Sequence, residues 1–237
     1  MSMKIEIWSD VSCPFCYLGK KILEKAIEDF GDNDSFHIEW KSFQLNPNLI
    51  TNTDVSITKY LSEIKGYPVD QIKQMNHHLT KKGKDYSIDF EFDKIVVSNT
   101  YLAHHLIQFA KSKDKGNEAE ERLFRAYFTE GKNLDDLQIL LDLGSEIGLD
   151  SKELSEALNS KFFSKEIDED IRESQEIGIR GVPFFVFDRK YAISGAQDST
   201  VFQQTLKKSF SEWKEAHPEK ISELIQGESC SVDSEKL

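Results

Sequence analysis

The four residues Cys13-Pro14-Phe15-Cys16 lie at the point where a predicted strand turns into a predicted helix. Residues 4–10 before them begin with alternating polar and apolar side chains, a pattern typical of a β-strand. Residues 18–30 after them carry apolar side chains at helical spacing, and Gly31 ends the run. Unpaired backbone N–H groups and the positive end of the helix dipole collect at a helix start, where they favour the thiolate form of a cysteine. The position of the pair therefore suits thiol chemistry.

Two other interpretations of the cysteine pair stay open. Half of a zinc site would need two further ligands, which structural zinc sites supply as a second Cys or His pair. The third cysteine of the chain is Cys230, in a polar tail, and the pairs His77-His78 and His104-His105 each point to two different helix faces. Two buried, inert cysteines are the second alternative, and the proline between them argues against it. We therefore expect no bound metal.

Length and charge set limits on the function. The chain has 237 residues, enough for one large domain or a domain with an insertion, and its net charge is −12. This charge argues against non-specific binding to nucleic acid or to anionic membranes. Neither a signal-peptide pattern nor a run of ~20 apolar residues is evident. We expect a cytoplasmic protein, and in a reducing compartment a CxxC pair is more often catalytic or metal-binding than a structural staple.

The rest of the chain places strands at both ends and helices between them. Residues 36–43 alternate and predict a second strand, so the first helix and its two flanking strands form a parallel βαβ unit. From about residue 50 to 177 the apolar spacing is helical without an intervening strand. Residues 182–187 are a dense apolar run typical of a buried strand, and residues 191–194 form its hairpin partner before a last helix at 198–213.

The order βαβ, helices, ββα indicates a single sheet, because neither end of the chain has enough strands to be stable alone. The fold class is therefore α/β, with the helices as an insertion. The predicted units are a discontinuous sheet-bearing domain at 1–46 and 178–215, a helical insertion at 47–177 and a polar tail at 216–237.

Five short motifs lie along this layout: Asp10-Val11-Ser12-Cys13-Pro14-Phe15-Cys16-Tyr17-Leu18-Gly19-Lys20, Gln44-Leu45-Asn46-Pro47, Asn99-Thr100-Tyr101-Leu102-Ala103-His104, Gly181-Val182-Pro183-Phe184-Phe185-Val186 and Ile193-Ser194-Gly195-Ala196-Gln197. With the order of elements, they resemble the DsbA family of thiol–disulfide oxidoreductases, and its FrnE-like branch in particular. The resemblance covers roughly residues 4–213. It implies a thioredoxin fold, βαβ and ββα around a central mixed sheet, with a large all-helical insertion.

The resemblance also implies an activity, thiol–disulfide exchange. Cys13 would be the attacking thiolate, and Cys16 would resolve the mixed disulfide. Pro183 would be the cis proline that faces the cysteine pair, since cis peptide bonds are rare except before proline. The backbone of Val182 would pair with a bound substrate.

Further candidate substrate-binding residues are Pro14 and Phe15 between the cysteines, and Asn99 and His104 in the cleft beside the insertion. The expected substrates are proteins or low-molecular-weight thiols and disulfides. No tightly bound cofactor is expected, with glutathione as a candidate redox partner. Lys20 could lower the pKa of Cys13 by its charge, although a solvated side chain is the simpler expectation.

The chain departs from the family pattern at two positions. Pro14-Phe15 stands where the periplasmic oxidants have Pro-His, so an imidazolium that would stabilise the thiolate is missing. FrnE-like proteins often carry a second cysteine pair near the C-terminus, whereas Cys230 stands alone here and is expected to be a bystander.

Two alternative functions stay open. The 2-hydroxychromene-2-carboxylate isomerases and kappa-class glutathione transferases are related, but they typically have a serine at the position of Cys13 and use glutathione. In that case the turn Ser194-Gly195-Ala196 could hold glutathione through its backbone N–H groups. The other alternative is a non-catalytic, client-binding chaperone that uses the cleft without redox turnover.

Overall fold

A mixed four-stranded sheet forms the centre of the computed structural model, which describes residues 2–218. Its strands are β1 (Met3–Ser9), β2 (Phe36–Ser42), β3 (Phe184–Phe187) and β4 (Tyr191–Ser194), in the order β2-β1-β3-β4. β1 runs parallel to β2 and antiparallel to β3, and β4 is antiparallel to β3. The predicted βαβ and ββα units therefore share one sheet, with β1 in its interior.

Helices flank the sheet and fill the long connection between β2 and β3. α1 and α9 pack against each other, and α2 to α8 form the predicted insertion. The helix bounds are α1 (Pro14–Phe30), α2 (Ile57–Lys65), α3 (Val69–Lys84), α4 (Tyr101–Lys111), α5 (Gly116–Phe128), α6 (Leu137–Glu146), α7 (Ser151–Ser160), α8 (Ser164–Glu176) and α9 (Ser199–Ala216). Within residues 2–218, no helix is long and apolar enough to cross a bilayer.

Both ends of α1 follow from local sequence. Pro14 is its first residue, where the N–H that proline lacks would have no partner in any case. Gly31 ends it with a φ of 82°, a left-handed conformation that costs glycine little, and its N–H bonds to the carbonyls of Ile27 and Glu28. Because α1 starts at Pro14, Cys13 becomes its N-terminal cap and Cys16 lies in its first turn.

Burial of β1 differs from the alternation in its sequence. Ile5 and Ile7 are in the core as predicted, but Glu6 is also buried. Its carboxylate pairs with the guanidinium of Arg189, which follows β3. The physical reason is that an interior strand is covered on both faces, so a charged residue along it needs a partner of opposite charge.

The insertion is joined to the sheet by packing and by hydrogen bonds. One hydrophobic core contains Ile5 of β1, Trp40 of β2 and Phe124 of α5. Asp170 of α8 accepts a hydrogen bond from the backbone N–H of Ser42 at 2.9 Å. The helices therefore complete the same core that the sheet begins.

Candidate active site

The two cysteines of the CxxC segment differ in exposure. Cys13 caps α1 and is 5% exposed, whereas Cys16 is 1% exposed. The carbonyl of Cys13 accepts the N–H of Cys16 at 3.0 Å, and the N–H of Cys13 donates to the carbonyl of Asp10 at 2.9 Å. In the part of the chain that the structure describes, both residues are free thiols. The outer and inner positions fit the roles expected of an attacking and a resolving sulfur.

The loop before β3 lies directly against the outer cysteine. The Cys13 thiol donates a hydrogen bond to the carbonyl of Val182, with 3.5 Å between sulfur and oxygen. The peptide bond between Val182 and Pro183 is cis, which confirms the prediction from the sequence. Pro183 is buried and packs against α1 at Gly19, where an added Cβ would lie 3.1 Å from the proline Cγ. The close approach of loop and helix needs a glycine here.

Burial controls the chemistry of the inner cysteine. It raises the pKa of the Cys16 thiol well above its ordinary value, and the neighbouring Cys13 raises it further. The backbone N–H of Asp10 and the hydroxyl of Ser9 act in the opposite direction. Cys16 therefore keeps its proton near neutral pH.

Asp10 organises the turn between β1 and the cysteines. Its side chain is 1% exposed, and its carboxyl oxygens accept the N–H and the hydroxyl of Ser12, each at 3.0 Å. A third bond at 2.7 Å comes from the N–H of Leu45, in the loop that follows β2. Asp10 thus holds two motifs of the sequence together, a structural role that the sequence alone does not reveal.

Large apolar side chains are exposed on the two segments that Asp10 joins. Phe15 is 39% exposed and Leu45 is 45% exposed, although both are large apolar side chains. Pro14 is half-buried. Within residues 2–218, the backbone N–H of Val182 donates no hydrogen bond. These segments therefore present exposed apolar surface and one free backbone donor.

Asn99 supports a loop of the cleft wall. Its side-chain amide donates to the carbonyls of Pro47 at 3.3 Å and Leu49 at 2.8 Å, and its Oδ1 accepts the N–H of Tyr101 at 2.8 Å. Asn99, which the sequence predicts to bind substrate, therefore uses its side-chain amide in hydrogen bonds within the protein.

His104 does not line the cleft as expected, because its side chain is only 1% exposed. Its burial lowers the pKa of the imidazole, against the opposing charges of Asp10 and Asp170. Within the described residues neither ring nitrogen has a hydrogen-bond partner. The imidazole is enclosed by the protein, so contact with a substrate would need its surroundings to move.

The turn after β4 is hydrogen-bonded to the loop that contains Pro183. The N–H of Gly195 donates to the carbonyl of Pro183 at 2.8 Å, and the N–H of Gln197 donates to the carbonyl of Gly195 at 3.0 Å. The expectation that backbone N–H groups of this turn receive glutathione is therefore corrected for Gly195, whose donor is already used.

Two charged side chains near α1 are buried. Lys20 is 3% exposed, and its ammonium group donates to Glu121 of α5 at 2.6 Å. Glu120 of α5 is 1% exposed, and burial raises the pKa of its carboxyl to about 8, with Lys20 lowering it and Asp10 raising it. The expectation that Lys20 is solvated is wrong, because α5 covers this face of α1.

Metal ligands do not gather in the part of the chain that the structure describes, where no three His, Cys, Asp or Glu side chains are placed to hold an ion. Cys230 and the tail from residue 219 lie outside the described residues.

Residues 4–207 match the model of the DSBA-like thioredoxin domain family. Among solved structures, the probable DsbA oxidoreductase SCO1869 of Streptomyces coelicolor is similar with a TM-score of 0.81 and 29% sequence identity, over 98% of this chain and 97% of that one. The cytosolic disulfide reductase DsbM of Pseudomonas aeruginosa, with GSH, is similar with a TM-score of 0.63 and 16% identity, over 88% and 99%. A 2-hydroxychromene-2-carboxylate isomerase is similar with a TM-score of 0.65 and 17% identity, over 90% and 99%.

The chain belongs to the DSBA-like thioredoxin domain family, because the family model matches most of its length. Its fold is the thioredoxin fold with a helical insertion, as the resemblance implied.

Proposed function

We propose that the protein catalyses thiol–disulfide exchange, with Cys13 as the attacking sulfur and Cys16 as the resolving sulfur. One observation carries the proposal. The more exposed cysteine caps a long helix and contacts the Val182 carbonyl at 3.5 Å, while the second cysteine is buried behind it. A helix start favours a thiolate, and a buried second thiol is protected until the first has reacted.

In the proposed reaction, the Cys13 thiolate attacks one sulfur of a substrate disulfide. A bond forms between Cys13 and that sulfur, the substrate disulfide breaks, and the other substrate sulfur leaves as a thiolate that takes up a proton. Cys16 then loses its proton and attacks Cys13, so the protein pair is oxidised and the substrate leaves as a second thiol. The two electrons pass from the cysteine pair to the substrate, and the reverse sequence oxidises a dithiol.

The surroundings of Cys13 support a peptide or a small thiol as substrate. The exposed rings and chains of Phe15 and Leu45 offer apolar contacts, and the free N–H of Val182 offers one backbone hydrogen bond. We propose the cytoplasm as the place of action, where a low-molecular-weight thiol such as glutathione would return the oxidised pair to the dithiol state. The relative DsbM, described as a cytosolic disulfide reductase with GSH, shares the fold.

The proposal is tested with a peptide disulfide as substrate and glutathione as reductant. Cys13→Ser should abolish turnover. Cys16→Ser should accumulate a mixed disulfide between Cys13 and the peptide, visible as a mass increase of one peptide. Cys230→Ser is the matched control and should change neither result.

Equilibration of the protein with glutathione redox buffers then gives the reduction potential of the pair, which sets the direction of electron flow. Full turnover by Cys13→Ser would refute the proposed mechanism. Isomerase or transferase activity that needs glutathione and survives Cys16→Ser would favour the glutathione-dependent alternative. Suppression of aggregation that persists when both cysteines are replaced, without any exchange, would favour the chaperone alternative.

A further inference from the structure

A cavity of about 510 Å³ lies between the loop that follows β2 and the helical insertion. Its lining includes Gln44 and Leu49 from the loop, and Tyr101, Asp135 and Lys161 from the insertion. This volume is within the range of roughly 300–1,000 Å³ that is typical of small-molecule sites. The exchange proposed for the two cysteines does not by itself use this space.

The cavity is joined to the active-site turn by one carboxylate. Asp10 accepts hydrogen bonds from the N–H of Ser12 at 3.0 Å and from the N–H of Leu45 at 2.7 Å. Ser12 directly precedes Cys13. Leu45 directly follows Gln44, which lines the cavity. The side chain that orders the turn before the reactive cysteine therefore also holds one wall of the cavity.

Lys161 and Asp135 give the cavity two opposite charges that do not neutralise each other. The Lys161 ammonium group lies 5.7 Å from the centroid of the Tyr101 ring, and Asp135 accepts the hydroxyl of Thr51 at 2.6 Å. Among residues 2–218, neither charged group forms an ion pair with another side chain. A ligand that carries both an ammonium and a carboxylate group therefore complements the two charges.

Several positive and donor groups favour the carboxylate of such a ligand. Three helices begin at the cavity: Tyr101 is the first residue of α4, Asp135 lies two residues before α6, and Lys161 lies three residues before α8. The positive ends of their dipoles add to the charge of the ammonium group. The side-chain amide nitrogen of Gln44 is buried and, among the described residues, has no acceptor, so it offers a free donor.

Hydrogen bonds fix the walls of the cavity. The Thr51 hydroxyl, which donates to Oδ2 of Asp135, also accepts the N–H of Asn99 at 3.0 Å. The Asn99 amide in turn donates to the carbonyl of Leu49 at 2.8 Å. Ile50, another lining residue, is 86% exposed, so the cavity is open to solvent. A site with walls held in this way needs little reorganisation when a ligand binds.

We propose that this cavity binds the amino-acid end of a low-molecular-weight disulfide substrate, an end that carries both an α-ammonium and an α-carboxylate group. The carboxylate pairs with the Lys161 ammonium group and accepts a hydrogen bond from the Gln44 amide. The α-ammonium group donates to Asp135. The disulfide of the same molecule lies at Cys13, where exchange proceeds as proposed above. This inference rests on the proposed function and adds no redox step to it.

The test measures oxidation of the reduced protein by three symmetric disulfides of acylated cysteamine. The acyl group is γ-glutamyl, which carries both charges, glutaryl, which lacks the ammonium group, or 4-aminobutanoyl, which lacks the carboxylate. Acid quenching, alkylation of the remaining thiols and mass spectrometry give the oxidation rate at each disulfide concentration. The γ-glutamyl disulfide should reach its half-maximal rate at the lowest concentration of the three.

Substitution of each charge should affect only the disulfides that carry its partner. Lys161→Gln should raise the half-saturating concentration about fivefold for the two disulfides with a carboxylate, and less than about twofold for the 4-aminobutanoyl disulfide. Lys161→Arg, which keeps the charge, should restore most of the affinity. Asp135→Asn should show the converse pattern, with weaker binding of the two disulfides that carry an ammonium group.

Lys165→Gln is the matched control, because this lysine of α8 has an 82% exposed side chain and does not line the cavity. It should bind all three disulfides as the wild-type protein does. Equal effects of Lys161→Gln on the three disulfides, or effects no larger than those of Lys165→Gln, would refute the proposed site. Thermal melts of each variant exclude a general loss of folding as the cause.

Bis(2-hydroxyethyl) disulfide, which carries no charge, separates this inference from the proposed function. If it oxidises the Cys13–Cys16 pair of the wild-type protein while the charged disulfides show no preference, the binding site is refuted and thiol–disulfide exchange stands. If none of the four disulfides oxidises the pair, the proposed function fails, and this inference fails with it.

Discussion

The phenol ring of Tyr17 lies flat on the ring of Phe124, with centroids 4.9 Å apart and ring planes 7° from parallel. Tyr17 directly follows the CxxC segment, and Phe124 belongs to α5 of the insertion. The Tyr17 hydroxyl also donates to Glu121 of the same helix at 2.9 Å. The residue beside Cys16 therefore joins the active-site helix to the insertion.

Loss of this stacked pair should weaken the whole fold. Phe124→Ala should lower the free energy of unfolding by about 3–5 kcal/mol, because it removes a buried aromatic side chain and leaves a cavity. Urea denaturation followed by tryptophan fluorescence measures the change. Phe162→Ala, at a residue that is 70% exposed, is the control and should cost less than ~1 kcal/mol. Equal losses in the two variants would contradict the proposed importance of the contact.

A methyl group at Gly19 should disturb the site directly. An added Cβ would lie 2.9 Å from the ring of Phe185 and 3.1 Å from Pro183. We expect Gly19→Ala to cost about 1–3 kcal/mol through overpacking. It should also slow exchange, because the Pro183 loop must move away from Cys13. Gly181→Ala is the matched variant, since nothing lies within 4 Å of its added Cβ; peptide-disulfide turnover by that variant should stay near wild type.

The three hydrogen bonds of Asp10 predict a local effect on the active-site turn. Asp10→Ala leaves the N–H groups of Ser12 and Leu45 without their acceptor and should cost at least ~2 kcal/mol. Amide hydrogen exchange at Ser12 and Leu45 should accelerate. Asp150→Ala removes an exposed cap with two hydrogen bonds from α7 and should cost only ~1 kcal/mol. Unchanged protection at Leu45 in Asp10→Ala would argue against the bridging role.

Glu120 predicts how stability depends on pH. Its pKa is about 8 in the folded protein against an ordinary value of 4.5, so the folded state holds a proton that the unfolded state releases. The free energy of unfolding should therefore fall as pH rises from about 4.5 to 8, by at most ~4 kcal/mol. Glu120→Gln should flatten this decline and make the protein more stable than wild type at pH 8.

Urea denaturation at several pH values from about 5 to about 9 measures how the free energy of unfolding depends on pH. Glu63→Gln is the control, because the Glu63 side chain is 62% exposed on α2. It should leave the decline unchanged. A Glu120→Gln variant that still loses stability in parallel with wild type would show that another group causes the decline.

The sequence predicts the fold where a local pattern decides it. Helical spacing and Gly31 define α1, the dense run before residue 188 defines β3, and the cysteine pair lies between a strand and a helix in both prediction and structure. The cis bond before Pro183 was also predicted, and it is confirmed. Each depends on a motif or on neighbours close in sequence.

The buried charges could not be predicted in the same way. Glu6 is ionically paired with Arg189, 183 positions away, and Lys20 with Glu121, 101 positions away. A charged residue in a polar–apolar alternation indicates a solvated face unless the covering element is known. Here Lys20 is covered by a helix of the insertion, and Glu6 pairs with a residue from the far end of the chain. For the same reason the burial of His104 became evident only from the packing of the insertion.

The placement of β1 between β2 and β3 has a consequence for how the protein is made. A ribosome completes β1, α1, β2 and every helix of the insertion before it reaches Phe184. Until then, the backbone edge of residues 5–8 that later pairs with β3 has no partner, and Trp8 lacks the Val186 that later packs against it. Such an open, apolar edge invites pairing with other nascent chains. β3 and β4, the last strands of the sheet to be synthesised, thus close it and end the interval in which this edge is exposed.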